Sequence, residues 1–195
     1  MRVIAEFSRK VSEMLVHKGI VQQEDAALYK YGIESGLIVA GNLLASVIFG
    51  IITGRLGVVL VFLLFYSALR SFSGGVHCKS KAGCFCLSMA ILLIPVYSCE
   101  WVLGIVSNPM LIMIGIIAVV VILVLSPVES INKPLDDEER KFYRRVSHCI
   151  AALQVCVLVF LYCMDKLEYF YAGYSSLILV SIFMVIGKIL TKRYI

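Results

Sequence analysis

The stretch RSFSGGVHCKSKAGCFCLS, residues 70–88, holds three of the seven cysteines, one of the three histidines and a Gly-Gly pair. A cysteine and a histidine can work as nucleophile and base, because the thiolate is the reactive form and a neighbouring imidazolium stabilises it. His77 and Cys84 are seven residues apart. On an α-helix that spacing puts both on one face but separates them by about 10.5 Å of rise. If the two side chains pair, the chain must bend or unwind between them. Gly74, Gly75 and Gly83 are the residues that allow it to leave a plain helix. Cys86 would point about 200° away from Cys84 on a helix, and Cys78 adjoins His77. Ser73 or Ser80 could orient His77. His17 and His148 read as surface and interface residues.

The same residues carry other readings. His77, Cys78, Cys84 and Cys86 could ligate a metal, but adjacent and i,i+2 ligands do not match the usual spacing of zinc sites, so no metal is expected. Cysteines are also common small buried residues, and His77 could simply sit at a membrane interface. A transport path would call for ionisable residues within the apolar segments. Arg70 and Asp165 fall at segment ends instead, and Glu100 lies toward the end of the third.

The elements that hold this stretch follow from composition. The chain is 61% hydrophobic and only 16% charged, with mean hydropathy +0.94. A soluble domain carries about a quarter charged residues. Runs of about 17 to 25 apolar residues span a bilayer as helices. Six apolar segments stand near 36–53, 56–70, 83–106, 109–127, 146–164 and 169–187, the third with Pro95 as a possible break. The expectation is an all-α integral membrane protein of one domain over 1–195: an amphipathic segment at 1–34, then a six-helix membrane core at 36–187. In the first segment Val3, Ile4, Phe7, Val11, Met14 and Leu15 share an arc of roughly 120°. Arg2, Glu6, Arg9, Ser12 and Glu13 take the other side, as expected of an interfacial helix. A short helical piece at 23–31 leads to the first span. The loop SPVESINKPLDDEERKFYRRVSH, 126–148, reads as a connector with a short helix after Pro134, acids first and bases later. The odd cysteine count and apolar surroundings point to reduced thiols.

Lys and Arg set orientation. Arg2, Arg9, Lys10, Lys18 and Lys30 precede the first segment; Arg70, Lys79 and Lys81 follow the second. Lys133, Arg140, Lys141, Arg144 and Arg145 follow the fourth; Lys188, Lys192 and Arg193 follow the sixth. The intervening loops hold only Arg55 and Lys166. That alternation fits six spans, cytoplasmic termini and a cytoplasmic location for 70–81.

Arg70, Gly74-Gly75, His77 and Cys84 make the pattern R-x3-G-G-x-H-x6-C. With PVESINKPL in the fourth loop, it resembles the accessory gene regulator B family of bacterial membrane cysteine endopeptidases. The resemblance covers essentially the whole chain. It implies a multi-pass protein of the Gram-positive cell membrane that processes a small amphipathic precursor peptide for quorum sensing. His77 then matches the catalytic histidine and Cys84 the catalytic cysteine, with Arg70, Gly74 and Gly75 as supporting motif positions. Asn132, Lys133 and Pro134 are candidate substrate contacts, and the N-terminal helix could dock the peptide. The resemblance implies no cofactor, a homodimer in the lipid bilayer and no nucleic-acid partner. The alternative function is a small peptide exporter without cysteine-dependent proteolysis.

Overall fold

A computed structural model of the chain describes residues 2–75, 81–99, 102, 108–129 and 136–192. These residues form an all-α protein: α1 (Arg2–His17), α2 (Ala26–Ile52), α3 (Leu56–Ser73), α4 (Lys81–Tyr97), α5 (Asn108–Leu125), α6 (Asp137–Cys163) and α7 (Leu167–Lys192). By length and composition four stretches can cross a membrane: Gln23–Ile52, Leu56–Ser73, Asp137–Cys163 and Leu167–Leu190. Gly83–Tyr97 and Pro109–Leu125 are shorter apolar helices. The chain is thus a multi-pass membrane protein.

Two helices are longer than their hydropathy indicates. The piece expected at 23–31 is one turn at Gln23–Asp25 that runs straight into α2. Glu34 and Ser35 interrupt the apolar run but not the helix, because they alter solvation without removing a backbone donor. The helix of 27 residues is about 40 Å long, more than the roughly 30 Å hydrocarbon layer. The separate short helix expected after Pro134 is instead the first part of α6. Asp136 caps it by accepting the Glu139 N–H at 2.7 Å, and Asp137, Glu138 and Glu139 fill the first turn. No Gly or Pro lies between Asp137 and Cys163, so the helix continues into the apolar segment. Pro95 does not break α4, which passes through it to Tyr97.

The amphipathic helix α1 packs on α2 with a rotation its pattern did not indicate. Ser12, expected on the solvent side, is buried, and so is Ser8. Each hydroxyl satisfies itself on its own helix: Ser8 Oγ donates to the Ile4 carbonyl at 2.8 Å and Ser12 Oγ to that of Arg9 at 2.9 Å. Small residues with self-satisfied hydroxyls let two helices approach closely. Phe7 and Met14 are left outward, more than half exposed, where a lipid interface would take them.

Helix α7 is the centre of the bundle. One cluster joins it to α3, α5 and α6 through Leu69, Ile122, Leu158, Leu177 and Met184. A second, around Val59, Phe62, Leu92, Val96 and Ala172, joins it to α3 and α4. At Gly173 an added Cβ would lie 2.8 Å from Phe65 and Leu158 side-chain atoms, so three helices meet where α7 has no side chain. Buried polar groups tie the bundle across helices: Gln154 Nε2 donates to the Phe65 carbonyl at 2.8 Å, and Tyr174 Oη to that of Leu111 at 2.7 Å.

Candidate active site

Leu69 and Ser73 are buried in the last turn of α3, and this fixes how that turn is rotated. The helix ends at Gly74, whose φ of 73° and ψ of −154° suit glycine alone. Its N–H still reaches the Arg70 carbonyl at 3.3 Å. Gly75 follows at φ 122°. Arg70 folds back so that its guanidinium donates to the Gly74 carbonyl. On the other side Val128 N–H donates to the Ser73 carbonyl at 2.8 Å, and Gly74 pairs with Val128 in a parallel bridge. A Cβ at Gly74 would overlap the Val128 carbonyl oxygen. One at Gly75 would strike the Arg70 guanidinium and lie 3.1 Å from the Phe183 carbonyl of α7. Arg70, the two glycines and Val128 are therefore one tightly fitted unit.

Cys84 sits in the first turn of α4, half-buried and not in a disulfide. Cys86 is exposed, so the two thiols differ in setting as their spacing indicates. A cleft of about 470 Å³ brings Cys84 together with Arg70, Gly74, Gly75, Val128 and Glu129. The bare backbone at the glycines lets Val128 and the Arg70 guanidinium pack against this end of α3, which shapes the wall of the cleft that holds Cys84. His77 lies outside the described residues, as do Cys78 and the expected contacts Asn132, Lys133 and Pro134.

The Val128 wall is fastened to α6. Arg140 Nη2 is 2.6 Å from a Glu129 carboxylate oxygen, and Arg144 Nε donates to the Ser126 carbonyl at 3.0 Å. Tyr143 faces Phe72 of α3 with ring centroids 5.9 Å apart. Sequence reasoning did not single out Glu129, Tyr143 or Asn42, all of which line the cleft. Glu129 had a signal in PVESINKPL. The signal for Asn42 was a carboxamide inside the apolar run of the first span.

The model of the family described as Accessory gene regulator B matches residues 8–186, from α1 to the last part of α7. The chain belongs to the accessory gene regulator B family. No curated protein and no solved structure matches it. Membership of this processing-protease family gives the chain a role in autoinducer-peptide processing and quorum sensing. Its apolar helices agree with that role, since the family acts at membranes.

Proposed function

We propose that this accessory gene regulator B protein is an integral-membrane cysteine endopeptidase that cuts the C-terminal part from a small amphipathic precursor peptide and closes the remainder into a ring. The observation that carries the reading is Cys84 in one cleft with Arg70, Gly74 and Gly75. The Cys84 thiol gives its proton to His77, and the thiolate attacks the scissile carbonyl carbon. As the C–N bond breaks, His77 returns the proton to the departing amine, leaving a thioester on Cys84. A thiol or hydroxyl of the precursor then attacks the thioester, forming a thiolactone or lactone and releasing the Cys84 thiol. An internal nucleophile held close has a very high effective concentration, and a cleft let into the membrane limits competing water. Arg70 does not need to touch the peptide in this scheme. It holds the Gly74 carbonyl and thereby the shape of the cleft.

The cleft lies where α3 ends and α4 and α6 begin. That end of the bundle carries Arg140, Lys141, Arg144 and Arg145, which the positive-inside rule assigns to the cytoplasm of the cell membrane. With α4 and α5 as further crossings the chain has six spans and cytoplasmic termini, and it works as a homodimer in lipid. Asn132, Lys133 and Pro134 follow the Val128 wall in the chain and take the precursor beyond the cut. Co-expression with the cognate precursor, read by mass spectrometry of the peptide, tests the reading. Cys84→Ala and His77→Ala should abolish cleavage and Cys86→Ala should keep it. Cleavage that survives Cys84→Ala would overturn the assignment, and export of intact peptide would favour a transporter.

A further inference from the structure

Among the polar side chains of the cleft that the cysteine chemistry does not use, Asn42 stands out. Asn42 lies within α2, in an apolar segment that otherwise has little polar character, and it lines the same cleft as Cys84 and Arg70. Its Oδ1 is buried and has no hydrogen-bond partner among the described residues. The neighbouring hydroxyls do not serve it. Ser46 Oγ donates to the backbone carbonyl of Asn42 at 2.8 Å, Ser71 Oγ to that of Ser67 at 2.8 Å, and Ser88 Oγ to that of Cys84 at 2.9 Å. Each hydroxyl thus spends its proton one turn back on its own helix. An orphaned carbonyl in a buried setting is destabilising, and a polar group within a span is most often there for function.

We propose that the Asn42 carboxamide is a substrate-binding group that docks on a backbone amide of the precursor peptide near the scissile bond. The inference rests on the reading of the cleft as the peptidase site. The carboxamide is the side chain that matches a peptide unit, with one acceptor and an NH2 donor against the N–H and C=O of the chain. Rotation about its soft χ2 torsion presents either end to the cleft. Depth gives the register. Helices α2 and α3 are antiparallel and joined by a short turn at 53–55, which sets Asn42 at about the level of Tyr66, also in the cleft. Tyr66 is one turn deeper than Arg70, roughly 6 Å. Cys84 lines the same cleft as Arg70. An extended peptide advances about 3.4 Å per residue, so a chain whose scissile carbonyl lies at the level of Arg70 meets Asn42 about two residues away. Recognition through the backbone would hold the precursor in register whatever side chains it carries there.

The test uses the full-length chain in lipid nanodiscs and a synthetic precursor peptide that the wild-type chain cleaves. Binding is measured on the Cys84→Ala background, with and without Asn42→Leu, together with the thermal midpoint of each protein. Asn42→Leu should weaken binding roughly 5- to 100-fold, as expected when a substrate amide is left unpaired, while the midpoint stays level or rises because an orphaned oxygen is gone. A set of peptides N-methylated singly at the residues around the cut should show one position that loses affinity for the Asn42 protein but not for Asn42→Leu, the coupling that marks a direct contact. Unchanged binding in Asn42→Leu, or a loss that tracks a lowered midpoint with no coupled position, would overturn the proposal. Cleavage surviving in Cys84→Ala would overturn the peptidase reading instead, so the two failures are distinguishable.

Discussion

Gly74→Ala separates the fit of the cleft from the stability of the bundle. The backbone of Gly74, at φ 73° and ψ −154°, lies in a region that costs an L residue about 1–3 kcal/mol. The added Cβ would overlap the Val128 carbonyl oxygen and stand 3.0 Å from the Val128 carbonyl carbon and 3.3 Å from its nitrogen. Backbone on both sides leaves no flexible side chain to yield. The Val128 wall must move off, which breaks its 2.8 Å bond to the Ser73 carbonyl, a loss of about 1 kcal/mol. The sum is about 2–4 kcal/mol of local strain, relieved by a shift of an ångström or so in the wall that faces Cys84. Misplacement of that size lowers catalysis on the order of 100-fold. Gly54→Ala is the matched control, because Gly54 has φ 66° and open space where its Cβ would stand. It carries left-handed strain of about 1–2 kcal/mol at the far end of α3 and leaves the cleft alone. Precursor cleavage in membranes, with thermal unfolding of the purified variants alongside, reads both. Gly74→Ala should lose about 100-fold in cleavage rate and Gly54→Ala less than threefold, on the order of the scatter of surface changes. Equal losses in the two variants, or near-normal cleavage in Gly74→Ala, would refute the claim that the Gly74–Val128 contact shapes the site.

Two further outcomes follow from the packing. Gly173→Ala drives a methyl to 2.8 Å from Phe65 and Leu158 and should destabilise the bundle by about 1–3 kcal/mol, seen as a lower thermal midpoint; an unchanged midpoint would mean that α3, α6 and α7 are not tightly packed there. The Arg140–Glu129 pair, with Arg140 nearly half exposed, should contribute no more than about 1 kcal/mol to stability. Arg140→Ala should therefore leave the midpoint in place but reduce cleavage by loosening the Val128 wall. The swapped pair, Glu129→Arg with Arg140→Glu, should restore part of the loss, and no recovery would exclude that tie as the cause.

What the sequence discloses and what it hides have physical reasons. The six apolar segments are legible because burial in lipid demands long runs, and each falls in or overlaps an observed helix. Where helices begin is less legible: Glu34 and Ser35 mark where solvation changes, yet α2 starts at Ala26 because helix continuity depends on backbone bonds. Ser12 reads as solvent-facing because a moment weighs polarity, whereas α1 and α2 meet through what is small and self-satisfied. The Gly-Gly pair announces a departure from helix. Its partner does not, since the pairing of Gly74 with Val128 joins residues more than fifty positions apart, and no local pattern encodes it. Asn42 is the sharpest case. In the sequence it is a tolerable blemish in a span, and its meaning depends on the helices placing it in one cleft with Cys84, with an oxygen that none of the described residues satisfies. An unpartnered oxygen facing a cleft can gain its hydrogen bond from a ligand, and on the proposed reading that ligand is the precursor peptide, which is why Asn42 is the residue the binding test turns on.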